Sequence, residues 1–400
     1  MNNFNYFTPT KVVFGLDTES QAGSLVKAQK CSKVLLHYGS GSVKKSGLLD
    51  RVKASLESEN IAFVELGGVV PNPRLSLVYQ GIDICKKEGV DFILAVGGGS
   101  VIDSAKAIGY GAGSPGDVWD YYEHTRKAEG CLPIGVILTI AATGSEMSDS
   151  SVITNEEGLK KRGYNSDLCR PVFALMNPEL TMTLPDYQTS CGTTDILMHT
   201  MERYFVSGDT LEITDSIAEG LLRTVMEYGR RLYENPKDLK ARTEIMWAGS
   251  LSHNGLTGCG VKAMDFSTHV LEHELGGLYD VAHGAGLAAL WGSWARYVYK
   301  DCLPRFKKFA IRVMNVCCSC DDGTHQQMSD EEIALKGIEA MENFFRSIGM
   351  PTSMAELGIN PTEEDISLLA AKCSAATGGK KGSAKVLIEE DMRKIYQMAR

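Results

Sequence analysis

The chain reads as an α/β domain followed by an all-helical one, and three observations carry that reading. From about residue 11 to residue 180, short apolar runs of β type alternate with amphipathic helical patterns, the mark of parallel βαβ units. Near Leu184-Pro185-Asp186 the alternation stops, and long amphipathic segments fill the rest of the chain. At 400 residues the chain is long for one ordinary domain and comfortable for two. We place the boundary at Pro185, with an α/β domain over 1–184 and an all-helical domain over 185–400.

Taken in order, Val12-Val13-Phe14 ends at Gly15, and Lys33 to Tyr38 stops at Gly39-Ser40-Gly41-Ser42. An amphipathic stretch runs on to Leu56, Ile61 to Val64 is the next β run, and Pro71-Asn72-Pro73 turns the chain into a helical segment ending near Glu88. Phe92 to Val96 is too short for a helix and suits a strand buried on both faces. Pro133 to Thr139 is another apolar run. In the second half the spacing predicts helices over Asp186–Val206, Glu212–Tyr233, Pro236–Leu256, Lys262–Gly276 and Asp330–Ile348.

Composition narrows the functional classes. Hydrophobic residues at 44% and charged residues at 23% describe a globular protein with a sizeable core. A net charge of −9 argues against a nucleic-acid partner. The opening Met1-Asn2-Asn3-Phe4 lacks the pattern of a signal peptide, and no apolar run is long enough to span a membrane. The eleven cysteines are odd in number and irregularly spaced, so reduced thiols in a cytoplasmic protein are expected. Cys317-Cys318-Ser319-Cys320 has no second Cys/His pair beside it and is not read as a metal site.

Two loops at strand ends suggest phosphate and ribose contacts. Gly97-Gly98-Gly99-Ser100 follows the Phe92 run, and a helix starting near Val101 would point free amide N–H groups back at that loop. Its place at the carboxyl end of a buried strand favours an anionic ligand over a plain turn. The spacing is not Gly-x-Gly-x-x-Gly, so a standard dinucleotide fold is not implied. The second loop carries Thr139, Thr143, Gly144 and Ser145, which also read as a helix cap. Together the two loops offer about the polar lining that a dinucleotide needs.

The most concentrated signal lies between Asp195 and His283. Five of the eight histidines fall there: His199, His253, His269, His273 and His283. Asp195 and His199 are four residues apart on one helical face, and His269 and His273 repeat that spacing. His283 follows Gly276-Gly277, a break at which the chain can bend it back. Imidazole with carboxylate is the usual nitrogen and oxygen set for a first-row divalent metal. His253 and His37 are read as structural, and Trp119, Tyr121 and Tyr122 as packing.

These motifs resemble the iron-containing (group III) alcohol dehydrogenases, particularly their butanol dehydrogenase and broad-range aldehyde reductase branch. The resemblance spans essentially the whole chain through Thr8-Pro9-Thr10, Tyr38 to Lys45, Pro71-Asn72-Pro73, Gly97 to Ser100, Ala142 to Glu146 and His269 to Gly276. It implies a dehydroquinate synthase-like architecture, with metal ligands Asp195, His199, His269 and His283. The expected metal is Fe(II), with Zn(II) as the alternative. His273 would be a catalytic non-ligand beside the nicotinamide, acting with Asp195 and His269. The cofactor would occupy the cleft between the domains, on Gly97, Gly98, Gly99 and Ser100, with Asp103, Thr139, Thr143, Ser145 and Lys161 along it. A homodimer is expected on the same ground.

Some family members that use NAD carry an aspartate just after the first long strand. Here Gly39, Ser40 and Ser42 occupy that turn, with Lys44 and Lys45 nearby. Small hydroxyl residues and lysines suit a 2′-phosphate that an acid would repel, so NADP(H) is expected over NAD(H). The expected reaction is hydride transfer between a nicotinamide and a primary alcohol or aldehyde such as butanol or butanal. The rivals are a lyase of the dehydroquinate synthase type, which needs a Lys/Arg cluster for an acidic phosphorylated substrate, and a glycerol or diol dehydrogenase.

Overall fold

Val34 to Leu36 and Phe92 to Val96 are wholly buried, as strands covered on both faces must be. They belong to a computed structural model that describes residues 2–317 and 328–400. The chain divides into two compact units, Phe7–Leu184 and Pro185–Arg400, the second joined by the N-terminal residues up to Tyr6. That last detail differs from the division drawn at the sequence level. Its cause is local: the Asn2 side chain donates to the carbonyls of Asp209 and Gly260 at 3.0 and 2.9 Å. Within the Cys317–Cys320 cluster, Cys318 and Cys320 lie outside the described residues.

In the first unit the strands are β1 (Lys11–Phe14), β2 (Lys33–Gly39), β3 (Ala62–Val69), β4 (Phe92–Gly97), β5 (Ile134–Leu138), β6 (Ser150–Asn155), β7 (Lys160–Asn165) and β8 (Phe173–Met176). Six of them form one sheet in the order β1-β8-β5-β4-β2-β3, every pair parallel. The helices are α1 (Ala22–Ala28), α2 (Ser42–Lys45), α3 (Leu48–Ser58), α4 (Leu75–Glu88), α5 (Gly99–Gly113) and α6 (Trp119–Tyr122). Val26, Val52 and Leu56 of α1 and α3 share a core with Val34, Leu36 and Leu94 of the sheet. Tyr121 and Tyr122 are buried and Tyr121 packs with Tyr110 and Tyr164, which is the packing role expected of that run.

β6 and β7 form an antiparallel hairpin that the sequence reading did not anticipate. The β7 sequence Lys-Lys-Arg-Gly-Tyr-Asn has no apolar alternation to announce a strand. Its pairing partner supplies the signal instead.

The second unit contains α7 (Asp186–Tyr204), α8 (Glu212–Glu234), α9 (Leu239–His253), α10 (Ser267–Tyr279), α11 (His283–Val298), α12 (Leu303–Arg312), α13 (Asp330–Ser347), α14 (Glu363–Ala376) and α15 (Glu389–Met398). Ser329 with Glu332 and Thr362 with Asp365 form capping boxes that start α13 and α14. Phe205 stacks on Phe306 and meets Trp294 in the core. One expectation is corrected: Gly276 and Gly277 do not break a helix but lie buried inside α10. The chain turns three residues later, where Asp280 takes a left-handed conformation with φ of 52°.

α7 is the unusual element. Every residue from Gly192 to Tyr204 is buried, so beyond its first turns the helix has no polar face toward water. Asp195, His199, Glu202 and Arg203 are therefore buried polar groups that must find partners inside the protein.

Candidate metal centre and nucleotide loops

Those partners come from α9, α10 and α11. Asp195 Oδ1 stands 3.5 Å from His199 Nδ1, 3.5 Å from His269 Nε2 and 3.6 Å from His283 Nε2. Asp195 Oδ1, His199 Nδ1 and His269 Nε2 are buried without a hydrogen-bond partner. Leaving such atoms unsatisfied costs about 1–3 kcal/mol each, and a shared cation removes that penalty. Four ligands arranged tetrahedrally at about 2.1 Å from one ion lie about 3.4 Å from each other. The three separations from Asp195 Oδ1 fit that spacing. Asp195, His199 and His269 bring one ligand atom each within 4.8 Å of one another, so this donor set suits a first-row divalent metal, with His283 joined to it through its 3.6 Å approach to Asp195.

Two carboxylates that the sequence reading missed hold the rings. Glu202, seven residues after Asp195 on α7, takes the backbone N–H of His269 at 3.0 Å on Oε1 and contacts His269 Nδ1 through Oε2. Glu272 contacts His283 Nδ1 in the same way. A carboxylate on one ring nitrogen fixes the tautomer and aims the other nitrogen at the centre. The i, i+4, i+7 spacing of Asp195, His199 and Glu202 was the available signal for the first of them.

The electrostatics follow from burial. Burial, with positive charge on His253, His269 and Arg203 nearby, pushes His199 well below its usual range and keeps it neutral. Burial opposes charge on His269 too, but the Glu202 and Asp195 carboxylates outweigh it and raise that ring to about 9.

A close approach brings α11 to this place. A Cβ on Gly284 would stand 2.1 Å from the Cys191 carbonyl oxygen, so only glycine lets the start of α11 lie against α7 beside His283. His273 is next to the centre: its ring lies 6.4 Å from that of His269 and 5.8 Å from that of His283. His253, read as structural, stacks on His199 with ring centroids 4.0 Å apart. Phe266 adds its ring 5.3 Å from His269.

In the first unit the structure brings together the two strand-end loops. Thr139 N–H donates to the Gly97 carbonyl at 3.0 Å. A Cβ on Gly98 would come within 2.8 Å of Ile140, and one on Gly99 within 2.4 Å of Thr143. The glycines are thus needed for one loop to pack on the other. α5 begins at Gly99, two residues earlier than expected, and no side chain caps that end, which leaves its first amides suited to an anion. Gly39 closes β2 at a register shift, and Ser40 and Gly41 lead into α2 at Ser42. Lys161 lies on β7 opposite Thr154 and is buried.

Asp103 and Ser145 are heavily engaged by the protein itself. Ser145 Oγ donates to Asp103 Oδ1 at 2.6 Å, and Asp103 Oδ2 accepts from Val152 N at 3.0 Å. Lys106, one helical turn further, is fully buried and donates to the carbonyls of Ser145, Ser148 and Ser150 at 2.8 to 2.9 Å. The α5 face carrying Asp103 and Lys106 therefore fastens the loop from Thr143 to Val152. A lysine within an otherwise apolar helical stretch was the sequence signal for it.

Known proteins are similar to this chain over essentially its whole length. Residues 9–178 match the model of the iron-containing alcohol dehydrogenases, and residues 189–400 match the C-terminal domain model of the same family. NADH-dependent butanol dehydrogenase A of Clostridium acetobutylicum is 40% identical over 99% of both chains. The chain belongs to the iron-containing alcohol dehydrogenase family. The crystal structure of NADH-dependent butanol dehydrogenase A from Thermotoga maritima superposes with a TM-score of 0.93 at 40% identity, covering 100% of this chain and 99% of that one. The NADPH-dependent aldehyde reductase YqhD of Escherichia coli is 34% identical over the full length of both. An iron-type metal and a nicotinamide cofactor go with membership of the family. Among the described residues no helix is long and apolar enough to cross a membrane.

Proposed function

We propose that this iron-containing alcohol dehydrogenase transfers hydride between a nicotinamide cofactor and a primary alcohol or aldehyde of the butanol/butanal class. The observation that carries the reading is the convergence of three imidazole nitrogens on Asp195 Oδ1 at 3.5 to 3.6 Å. Asp195, His199, His269 and His283 would hold the metal, Fe(II) by family and Zn(II) as the alternative. Gly97 to Ser100, with Thr139 and Thr143, would carry the cofactor's phosphates and ribose. The metal supplies Lewis acidity toward a substrate oxygen, and the nicotinamide supplies or accepts the hydride.

The chain's own residues do the remainder. Asp195 would contribute the single negative charge of the ligand set. Metal binding would displace the extra proton from His269, so that neutral imidazoles complete the set and leave a net positive charge toward an oxygen ligand. Glu202 and Glu272 keep the Nδ1–H of His269 and His283 engaged, so those rings stay aimed when substrate enters and leaves. A ring nitrogen of His273 holds the proton that the substrate oxygen gains in reduction and releases in oxidation. Removing metal with a chelator and restoring Fe(II) or Zn(II) tests the core of this. Butanal-dependent NAD(P)H oxidation should vanish and return, and full activity without metal would refute it.

For the cofactor we propose NADP(H) over NAD(H). Gly39, Ser40 and Ser42 offer no carboxylate at that turn. Glu65, the acid on the adjoining strand, is engaged by Lys53 at 2.6 Å and by Tyr38 Oη at 3.0 Å. Lys44 Nζ lies 5.0 Å from the Tyr38 ring, a cation beside the turn for a 2′-phosphate. A kcat/KM ratio favouring NADPH is the expected result, and a tenfold preference for NADH (about 1.4 kcal/mol) would overturn it. A cytoplasmic homodimer completes the proposal. Its support is that no disulfide joins cysteines among the described residues, together with the apolar rim at edge strand β1, where Phe7, Phe14 and Leu16 are exposed. Light scattering of the purified protein checks the dimer.

A further inference from the structure

α10 carries His269 in its first turn, yet its N-cap residue, Phe266, has no side-chain hydrogen bond to offer. Phe266 also holds a left-handed backbone with φ of 52°, a conformation that a bulky residue keeps only when its surroundings enforce it. Two buried carboxylates replace the missing cap. Glu202 Oε1 takes the His269 N–H at 3.0 Å, and Asp265 Oδ1 takes the Ser267 N–H at 3.0 Å. Acidic groups at a helix start are favourable both as acceptors and toward the helix dipole.

Asp265 has a second engagement. It is fully buried, and its Oδ2 accepts from the N–H groups of Ser383 at 2.6 Å and Ala384 at 2.8 Å. Those residues sit in a loop closed by paired backbone hydrogen bonds between Lys381 and Leu387 at 2.7 and 3.0 Å. Gly382 in that loop has φ of 109°, and a Cβ there would stand 2.3 Å from the Lys385 carbonyl and 2.8 Å from Ser267 Oγ. Asp265 N–H in turn donates to the Glu202 carbonyl at 2.9 Å. A continuous set of short contacts thus runs from the loop at 381–387, through Asp265 and the first turn of α10, to Glu202 and His269.

We infer that Asp265 is a positioning residue for the metal centre, clamping the 381–387 loop onto the start of α10 so that His269 is held in ligand geometry. It touches neither metal nor substrate. The inference rests on the reading of Asp195, His199, His269 and His283 as a metal site. In a merely structural role Asp265 would affect unfolding only. As a positioning residue it also sets how long His269 stays in place while the protein remains folded.

The test uses the full-length protein loaded with Zn(II) or Co(II), in wild type, Asp265→Asn and Gly382→Ala. Asparagine puts an amide N–H₂ in place of one carboxylate oxygen, where one or two backbone N–H groups need an acceptor. Gly382→Ala disturbs the same clamp from the loop side and leaves Asp265 intact, so a chain that fails to fold with the first variant does not end the test. At temperatures well below unfolding, Zn(II) release to a chelator is expected to quicken roughly tenfold or more in both variants. The visible Co(II) bands, which report ligand geometry, are expected to shift. Wild-type release and wild-type Co(II) spectra in variants that show only a lowered Tm would overturn the inference while leaving the metal reading standing. A wild-type chain that takes up no Co(II) would overturn both.

Discussion

Consider what one methyl group does at Gly284. Its Cβ would stand 2.1 Å from the Cys191 carbonyl oxygen and 2.6 Å from the carbonyl carbon. Both are backbone atoms of α7 and cannot rotate away. Restoring an ordinary separation of about 3.5 Å requires a relative shift of roughly 1.4 Å between the start of α11 and α7. His283 is the neighbouring residue, and its Nε2 is 3.6 Å from Asp195 Oδ1. Metal–ligand distances tolerate only about 0.2 Å, so the displacement exceeds the tolerance several-fold. Overpacking of this kind also destabilises by about 1–3 kcal/mol, or roughly 2–4 °C of Tm per kcal/mol in a domain of this size. Gly284→Ala should therefore lower Tm by several degrees without metal, and it should shrink the increase in Tm that Zn(II) produces. Thermal unfolding with and without Zn(II), together with metal content after dialysis, measures both. A variant that keeps the wild-type Zn(II) increment would refute the argument that this glycine sets the position of His283.

Two further outcomes follow from other residues. His37 lies fully buried in β2, with Nδ1 2.8 Å from the Leu66 carbonyl and Nε2 2.9 Å from Ser104 Oγ, and burial lowers its pKa to about 4. With a folded pKa below the unfolded value of about 6.5, the unfolded chain binds the extra proton, so stability is full above pH 6.5 and is lost as pH falls toward 4. The expected loss from this one group between pH 7 and pH 5 is about 2 kcal/mol; His37→Gln should flatten that part of the urea-unfolding profile, and an unchanged slope would contradict it. His273→Ala should retain the metal and lose rate by about 10²-fold or more, as for removal of a proton-transfer group; metal loss in that variant would mean that His273 belongs to the ligand set.

How much of this was legible in the sequence depended on whether the signal was local. Buried strands such as Phe92 to Val96 are short apolar runs, and their alternation with helical patterns announces a parallel sheet without tertiary information. The hairpin of β6 and β7 was illegible because β7 is largely polar and takes its order from pairing with β6. Asp195 with His199 and His269 with His273 were visible because helical spacing places them on common faces. Glu202 extends the first of those faces and was within reach of the same reasoning. Asp265 was not: its partners at Ser383 and Ala384 lie 118 and 119 residues away, and no periodicity links them. Glycine illustrates the difference most sharply. Gly98 and Gly99 were read as room for a ligand, whereas the structure shows them yielding room to Ile140 and Thr143. The two readings are compatible, since packing the second loop down on the first is what assembles the polar residues of both at one end of the sheet. The glycine pattern therefore indicated the right place through an incomplete cause, and the missing part of the cause was the contact of Gly98 and Gly99 with Ile140 and Thr143, residues distant in sequence. Local chemistry announces which residue types a site needs; long-range packing decides which of them are free to serve it.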